Sequence, residues 1–264
     1  MNVGLKQVRS RDNPQVKALI KLAGSSRERR CSGTTIIEGE HLVEAYRDSG
    51  QAAETIFVSE SAYARPEVRA LVEMTRARQK LLLADALVGR ISQLASAAGV
   101  AAVVRTPPPS PLPRTATTCL LLENIQDPGN LGSILRSAQA AGVLHVLLSP
   151  GSVFAWSPKV VRAGMGAHFG LSIHEDVDLG AFARGFSGRV VTTEPRGGRS
   201  LFDIDLRGPI AWVFGNEGGG ITADLRKLAT DSARIPMPGT AESLNVAAAA
   251  AICLFEQLRQ RGAG

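Results

Sequence analysis

The alternation of apolar and polar positions divides the chain into two stretches of strand and helix separated by a run of prolines. In the first stretch, Thr34–Ile37, Thr55–Val58, Lys80–Leu83 and Gly99–Val104 are short β-branched or apolar runs that predict strands. Helical spacing appears between them. One helix runs from Asn13 to Leu22, with Asn13 as cap and Pro14 at the first helical position; others are Glu40–Arg47, Pro66–Ala77 and Ala86–Leu94. This order predicts a small α/β domain with a sheet of about four strands.

The second stretch repeats the rhythm. Strands are expected at Thr118–Glu123, His145–Leu148, Leu171–His174, Arg189–Thr193, Ile210–Phe214 and Ala233–Ile235. Helices are expected at Gly129–Ala141, Pro158–Met165, Leu179–Phe186, Ala223–Leu228 and from Leu244 to about Arg259. Continuous apolar runs such as CLLL and AWVFG suit a parallel sheet covered on both faces. Between the two stretches lies RTPPPSPLPRT, with five prolines from Pro107 to Pro113. Proline fixes φ and lacks an amide donor, so this run is neither helix nor central strand and reads as a semi-rigid linker. The expected organisation is a domain at 1–106, a linker at 107–116 and a second domain at 117–264, without internal repeats.

Composition narrows the class. Over 264 residues, 44% hydrophobic and 20% charged content is globular. The formal charge is +6, and it is uneven. Residues 1–106 carry sixteen Lys/Arg against eleven Asp/Glu, and the first thirty carry eight against two. A basic end on a nearly neutral body points to a polyanion partner, or else to a merely solvated basic surface. Cys31, Cys119 and Cys253 are far apart and give neither a zinc spacing nor a disulfide framework, and the four histidines form no metal-like pair. This favours a reducing, cytoplasmic setting and no metal. The opening MNVGLKQVRSRDNPQ has no signal-peptide core, and no apolar run approaches the ~18 residues of a membrane span.

Three strand ends carry unusual residues, and ligands of open parallel sheets sit at such ends. In ENIQDPGNLGSILRSAQAAG, a tight turn leads into a helix near Asn130, which is placed to cap or to reach a ligand. Arg136 follows inside that helix, either solvated or pointing into a cleft. In AWVFGNEGGGIT, three successive glycines permit close backbone approach, and Glu217 is placed to cap the helix that follows. Neither a Gly-x-Gly-x-x-Gly fingerprint nor a phosphate-loop lysine is present, which disfavours a dinucleotide-dependent oxidoreductase. In IPMPGTAESLNVAAAAAICLFE, two prolines rigidify the strand exit, Ser243 reads as a helix cap, and Asn245 falls in the first turn. Such a pre-set apolar loop suits a flat heterocycle.

Taken in order and spacing, DPGNLGSILRSAQAAG, FGNEGGGI and IPMPGTAESLNVAAAAAICLFE resemble the three signature motifs of the SpoU, or TrmH-type, RNA 2′-O-methyltransferases of the SPOUT superfamily. The resemblance extends over 117–264. The segments SRDNPQVKALIKL and TTIIEGEHLVEA resemble the substrate-binding domain, similar to ribosomal protein L30e, that often precedes that fold. The resemblance implies an α/β domain with a deep trefoil knot, binding of S-adenosylmethionine, and a homodimer with catalytic sites at the subunit interface. It implies contacts to the cofactor from Gly215, Ile235 and Leu244, and a catalytic set of Asn130, Arg136, Glu217, Ser243 and Asn245. The expected substrate is 23S ribosomal RNA, with transfer RNA as runner-up and a non-catalytic RNA-binding protein of the same fold as the alternative class. A ribose 2′-hydroxyl needs in-line approach to the methyl donor and loss of its proton. Arg136 is proposed as the base in such enzymes, but a guanidinium stays charged in proteins, so a phosphate-clamping role is the milder expectation. Arg9, Arg11, Lys17, Lys21, Arg27, Arg29 and Arg30 are expected to meet phosphates.

Overall fold

A computed structural model describes residues 4–92, 99–108, 110–113 and 117–262. Residues 1–3, the end of the helix expected at Ala86–Leu94, and positions 109 and 114–116 of the proline-rich stretch lie outside the described residues. Two compact units emerge: 1–108 with 156–169, and 109–155 with 170–264.

In the first unit, strands β1 (Leu5–Val8), β2 (Thr34–Glu38), β3 (Ala53–Ser59), β4 (Ala77–Leu83) and β5 (Val100–Arg105) form one sheet of order β1-β4-β3-β5-β2. The sheet is mixed: β1, β4 and β3 pair in parallel, while β5 runs antiparallel to both β3 and β2. Its helices are α1 (Pro14–Gly24), α2 (Ser26–Ser32), α3 (Glu40–Asp48), α4 (Glu60–Tyr63), α5 (Pro66–Met74) and α6 (Asp85–Ile91). Asn13 caps α1 as expected, its side chain accepting from the Gln15 amide at 2.8 Å. Val16, Leu19 and Leu22 of α1 and Leu87, Val88 and Ile91 of α6 join Ile36, Phe57, Leu81 and Val103 in one core.

One expectation is overturned here. Arg29 is buried and donates to the carbonyls of Leu22 and Ala23, both at 2.7 Å, and to Ser26 Oγ. It closes the carbonyl end of α1 and is not available to a phosphate. A guanidinium satisfies orphan helix carbonyls that water cannot reach. Arg9, Lys17 and Lys21 are exposed but paired with Glu60, Asp12 and Glu28. Arg11 and Arg27 are exposed.

The remaining elements are β6 (Cys119–Leu122), α7 (Pro128–Ala140), β7 (His145–Leu148), α8 (Pro158–Gly164), β8 (Ser172–His174), α9 (Leu179–Gly185), β9 (Arg189–Thr193), β10 (Arg199–Ser200), β11 (Ile210–Phe214), α10 (Ala223–Leu228), β12 (Asp231–Arg234) and α11 (Val246–Gln260). Of these, α8 belongs to the first unit, where it packs on β2. The strands make a seven-stranded sheet of order β10-β12-β9-β11-β6-β7-β8, parallel at every pair.

Alternation along the central strands explains the layering. Cys119 and Leu121 of β6 and Ala211 and Val213 of β11 point to one face, where they pack with Leu179 and Ala183 of α9 and Leu225 of α10. Trp212 points to the other face, and its indole N–H donates to Gln257 of α11 at 2.8 Å. Helix α11 lies against α7 on that side. All four β6 residues are fully buried, and each leucine contributes about 1.5–3 kcal/mol relative to exposure. The Gln257 amide also donates to Thr118 Oγ1 at 3.2 Å and to the carbonyls of Leu206 and Gly208, leaving this polar group inside the core fully paired.

Candidate functional site

The carboxyl ends of β9, β11 and β12, with the first turns of α7 and α11, surround a cavity of about 470 Å³. Asn130, Gly215, Glu217, Ile235, Ser243, Leu244 and Asn245 all line it. Seven of the eight residues singled out from the sequence therefore meet in one place, although 115 positions separate Asn130 from Asn245. The eighth, Arg136, does not line the cavity and is exposed on α7. Six residues along a helix advance about 9 Å and turn roughly 240°, so Asn130 and Arg136 cannot share a face.

The wall is organised by one chain of hydrogen bonds. Asn245 is the cap of α11: its Oδ1 accepts from the amides of Ala247 at 2.9 Å and Ala248 at 3.3 Å. Its Nδ2 donates to Asn130 Oδ1 at 2.8 Å, and Asn130 Nδ2 donates to Glu217 Oε1 at 3.0 Å. Both ends fix the direction. Helix amides can only donate and an ionised carboxylate can only accept, so neither asparagine can be turned round. Glu217 also accepts from the amides of Gln126 at 3.3 Å and Asp127 at 3.2 Å. Burial alone would raise its pKa. The hydrogen bonds from Asn130 and from the Glu217, Asp127 and Gln126 amides outweigh that and hold the carboxyl below the usual range. A carboxylate so engaged is a positioning group and a weak base.

Two cap assignments differ from the sequence expectation, and one left open there is decided. Asn245, not Ser243, caps α11, and the helix starts at Val246. Asp127, not Asn130, caps α7, accepting from the Asn130 amide at 2.8 Å. Glu217 does not cap the helix after its own loop. It supports the start of α7, while the Thr222 amide and hydroxyl at the start of α10 both go to Glu123 at 2.8 Å. In the first two cases a partner distant in sequence decides between neighbouring residues of suitable chemistry, and in the third two distant glutamates exchange the expected roles.

Sequence reasoning missed Asn216. Its Nδ2 donates to the Asn124 carbonyl at 2.8 Å, and its Oδ1 accepts from the Gly218 and Gly219 amides at 2.9 and 2.8 Å. The signal was there in the Asn-x-Gly order, which favours an Asx turn. Of the three glycines only Gly220 has positive φ, at 67°. Gly215 is required for another reason: a Cβ there would collide with the Gly220 backbone and lie 2.5 Å from the Ile221 nitrogen.

The cavity's apolar lining comes from Phe214, Ile221, Ile235, Met237, Leu244 and Val246, and it holds no histidine, lysine or cysteine. Burial pushes the Cys119 and Cys253 thiols up to about 12. Among the described residues no group of three or more His, Cys, Asp or Glu could hold a metal ion, and no helix is long and apolar enough to cross a membrane.

Residues 117–255 match the model of the SpoU rRNA Methylase family, and residues 13–102 match that of the MRM3-like substrate binding domain. The chain is 32% identical over 254 residues to the 23S rRNA (guanosine(2553)-2′-O)-methyltransferase RlmP of Bacillus subtilis, covering 95% of this chain and 98% of that one. It is similar to the AdoMet-bound rRNA methyltransferase of Sinorhizobium meliloti, with a TM-score of 0.83 at 30% identity over 97% of this chain and 98% of that one. It is also similar to the SpoU methyltransferase AviRb of Streptomyces viridochromogenes in complex with AdoMet, with a TM-score of 0.84 at 27% identity over 96% and 99%.

Proposed function

The chain belongs to the SpoU rRNA methylase family, and from that membership we propose that it transfers a methyl group from S-adenosylmethionine to a ribose 2′-hydroxyl of 23S ribosomal RNA. The observation that carries this reading is the convergence of three distant loops on one cavity whose wall is the Glu217–Asn130–Asn245 chain.

The residues present fit the cofactor. The cavity volume lies in the range of about 300–1,000 Å³ typical of small-molecule sites, and its lining is apolar with a few convergent polar groups. Gly215, Ile235 and Leu244 would hold the cofactor, with Met237 and Phe214 beside them. When bound, S-adenosylmethionine supplies an electrophilic methyl group on a sulfonium. Asn130 and Asn245, locked by their shared hydrogen bond, fix the wall against which the ribose is positioned, with Ser243 at its rim. Glu217 holds that wall and the start of α7 in register. The lining holds no histidine, lysine or cysteine to take the hydroxyl proton, so that proton would leave through an RNA phosphate that Arg136 clamps, or through Arg136 itself once such a phosphate has taken its proton.

Arg136 faces away from its own cavity, and this supports a homodimer in which it serves the cavity of a second copy. Ile252 and Phe255, 36% and 47% exposed, stand on the outer side of α11, which packs against the helix carrying Arg136. Residues 117–264, apart from the segment 156–169 that groups with the first unit, would be the catalytic domain, with the chain through the cavity loops threaded as a trefoil knot. Residues 1–106 would be an L30e-like RNA-binding domain, joined by the linker at 107–116. The enzyme would work in the cytoplasm.

The test is incubation with labelled S-adenosylmethionine and unmodified 23S or transfer RNA, followed by mapping of 2′-O-methyl groups. Label at one ribose of 23S RNA is the expected result. Label confined to transfer RNA would replace the substrate, and binding without transfer would leave a binding protein.

A further inference from the structure

Beside the candidate cofactor cavity lies a second cavity of about 460 Å³, and the two share Pro195, Ile235 and Met237. Two arginines line it. Arg196 follows the carboxyl end of β9, and Arg234 is the last residue of β12. Those strands are parallel neighbours, with Ala233 opposite Thr193, so both guanidiniums leave the sheet at the same end as the methyl-transfer loops.

Nearby cations are neutralised, and these two are not. Arg189 and Arg199 pair with Asp231, Arg207 with Asp205, Arg226 with Glu194 and Lys227 with Asp224. The side chains of Arg196 and Arg234 make no ion pair or hydrogen bond among the described residues. Glu242 lines the same cavity and offers the one opposing carboxylate. The loop carrying Arg196 is held tightly. Gly197 and Gly198 have φ of 78° and 68°, and a Cβ on Gly198 would lie 2.5 Å from the Ser232 carbonyl oxygen. Only glycine passes β12 this closely, so the backbone beside Arg196 is fixed relative to Arg234.

We propose that Arg196 and Arg234 form an anion subsite that takes a backbone phosphate of the substrate RNA next to the ribose being methylated. The proposal rests on the methyltransferase reading above. Planar guanidiniums suit phosphate oxygens through paired donors, and an unpaired arginine pair beside a reaction cavity favours an anionic ligand over solvent alone. Both residues are positioning residues. They fix where the strand runs and do not take part in methyl transfer.

The test compares wild type with Arg196→Ala/Arg234→Ala and Arg196→Lys/Arg234→Lys, using in vitro transcribed 23S RNA. The expected result for the alanine pair is a KM for RNA raised roughly tenfold or more, with kcat within about twofold. The slope of log affinity against log salt should fall in magnitude by about 0.7, the value for one neutralised single-strand phosphate. The lysine pair should recover the salt slope and part of the KM. Calorimetry with S-adenosylhomocysteine should give unchanged affinity. Loss of that affinity would mean that the arginines hold the cofactor carboxylate, and an unchanged KM and salt slope would mean that they hold nothing; either result overturns the proposal. If wild type methylates no RNA, the methyltransferase reading fails instead. Arg196→Ala alone, in an exposed loop, supplies the same readouts if the pair does not fold.

Discussion

Asn245 Nδ2 donates to Asn130 Oδ1 at 2.8 Å, tying the cap of one helix to the first turn of another across 115 residues of sequence. The same asparagine also accepts from the start of α11, so stability and site geometry depend on one side chain. The two roles separate by mutation. Asn245→Ala should cost about 1 kcal/mol in urea unfolding through the lost cap and abolish methyl transfer. Asn245→Asp keeps the acceptor but loses the donor to Asn130. It should retain nearly wild-type stability with transfer lowered at least tenfold. Equal activity of the aspartate variant and wild type would count against the role of the chain.

Gly215→Ala places a methyl group against the Gly220 backbone and 2.5 Å from the Ile221 nitrogen. Backbone cannot swing aside as a side chain can, so the loop must shift. The expected outcome is a loss of about 1–3 kcal/mol and of S-adenosylmethionine affinity by calorimetry.

Glu217 gives a pH signature. Its folded pKa is held below the unfolded one, so its contribution is complete above the ordinary carboxylate range. That contribution is lost as pH falls through the lowered folded value. Amide exchange at Gln126 and Asp127 should rise at acid pH once intrinsic rates are corrected. Glu217→Gln keeps one oxygen for Asn130 and the Asp127 amide but turns its NH2 toward the Gln126 amide, so Gln126 should already be less protected at pH 7, with the acid limb absent.

Thiol chemistry should sort the three cysteines. Cys31 is exposed, whereas Cys119 and Cys253 are buried with thiols pushed up to about 12. A disulfide reagent at pH 8 should titrate one thiol quickly in the native protein and the other two only after denaturation.

The proposed dimer predicts complementation. Arg136→Ala should bind cofactor normally yet fail to transfer methyl. Mixed and refolded with Asn245→Asp, it should recover about a quarter of wild-type activity, because half the dimers are hybrids with one complete site. No recovery would place Arg136 in its own subunit's chemistry.

Much of this architecture was legible because strand ends carry their own local chemistry. The prolines after Arg234, the glycines after Asn216 and the Asp-Pro-Gly turn before Asn130 each mark a loop without outside help. The choice between Ser243 and Asn245 as cap was not legible, since both have the right side chain and Asn130 decides. Arg29 counts as one more positive charge in the sequence, yet it is buried under α1 because unsatisfied carbonyls stand there. Helix α2, SRERRCS, has no apolar stripe and is held by the Ser25 cap and a left-handed Gly33. The short strands β1 and β10 are too brief to show a period and are strands through pairing with β4 and β12.

The middle of the seven-stranded sheet joins β6 to β11, with Ala211 opposite Cys119 and Phe214 opposite Leu122. Neighbours at the centre of the core are thus about ninety residues apart along the chain, and every adjoining pair is parallel. No hairpin starts the sheet, and although β9–β11 and β6–β7 are nearer pairs, a large loop must close before its two halves join at β6 and β11. Refolding of this unit should be slow for its size, with apolar strands bare in the meantime. Substitutions in β6 or β11 are then expected to reveal themselves first as poor yield and aggregation, before any change in turnover by the molecules that do fold.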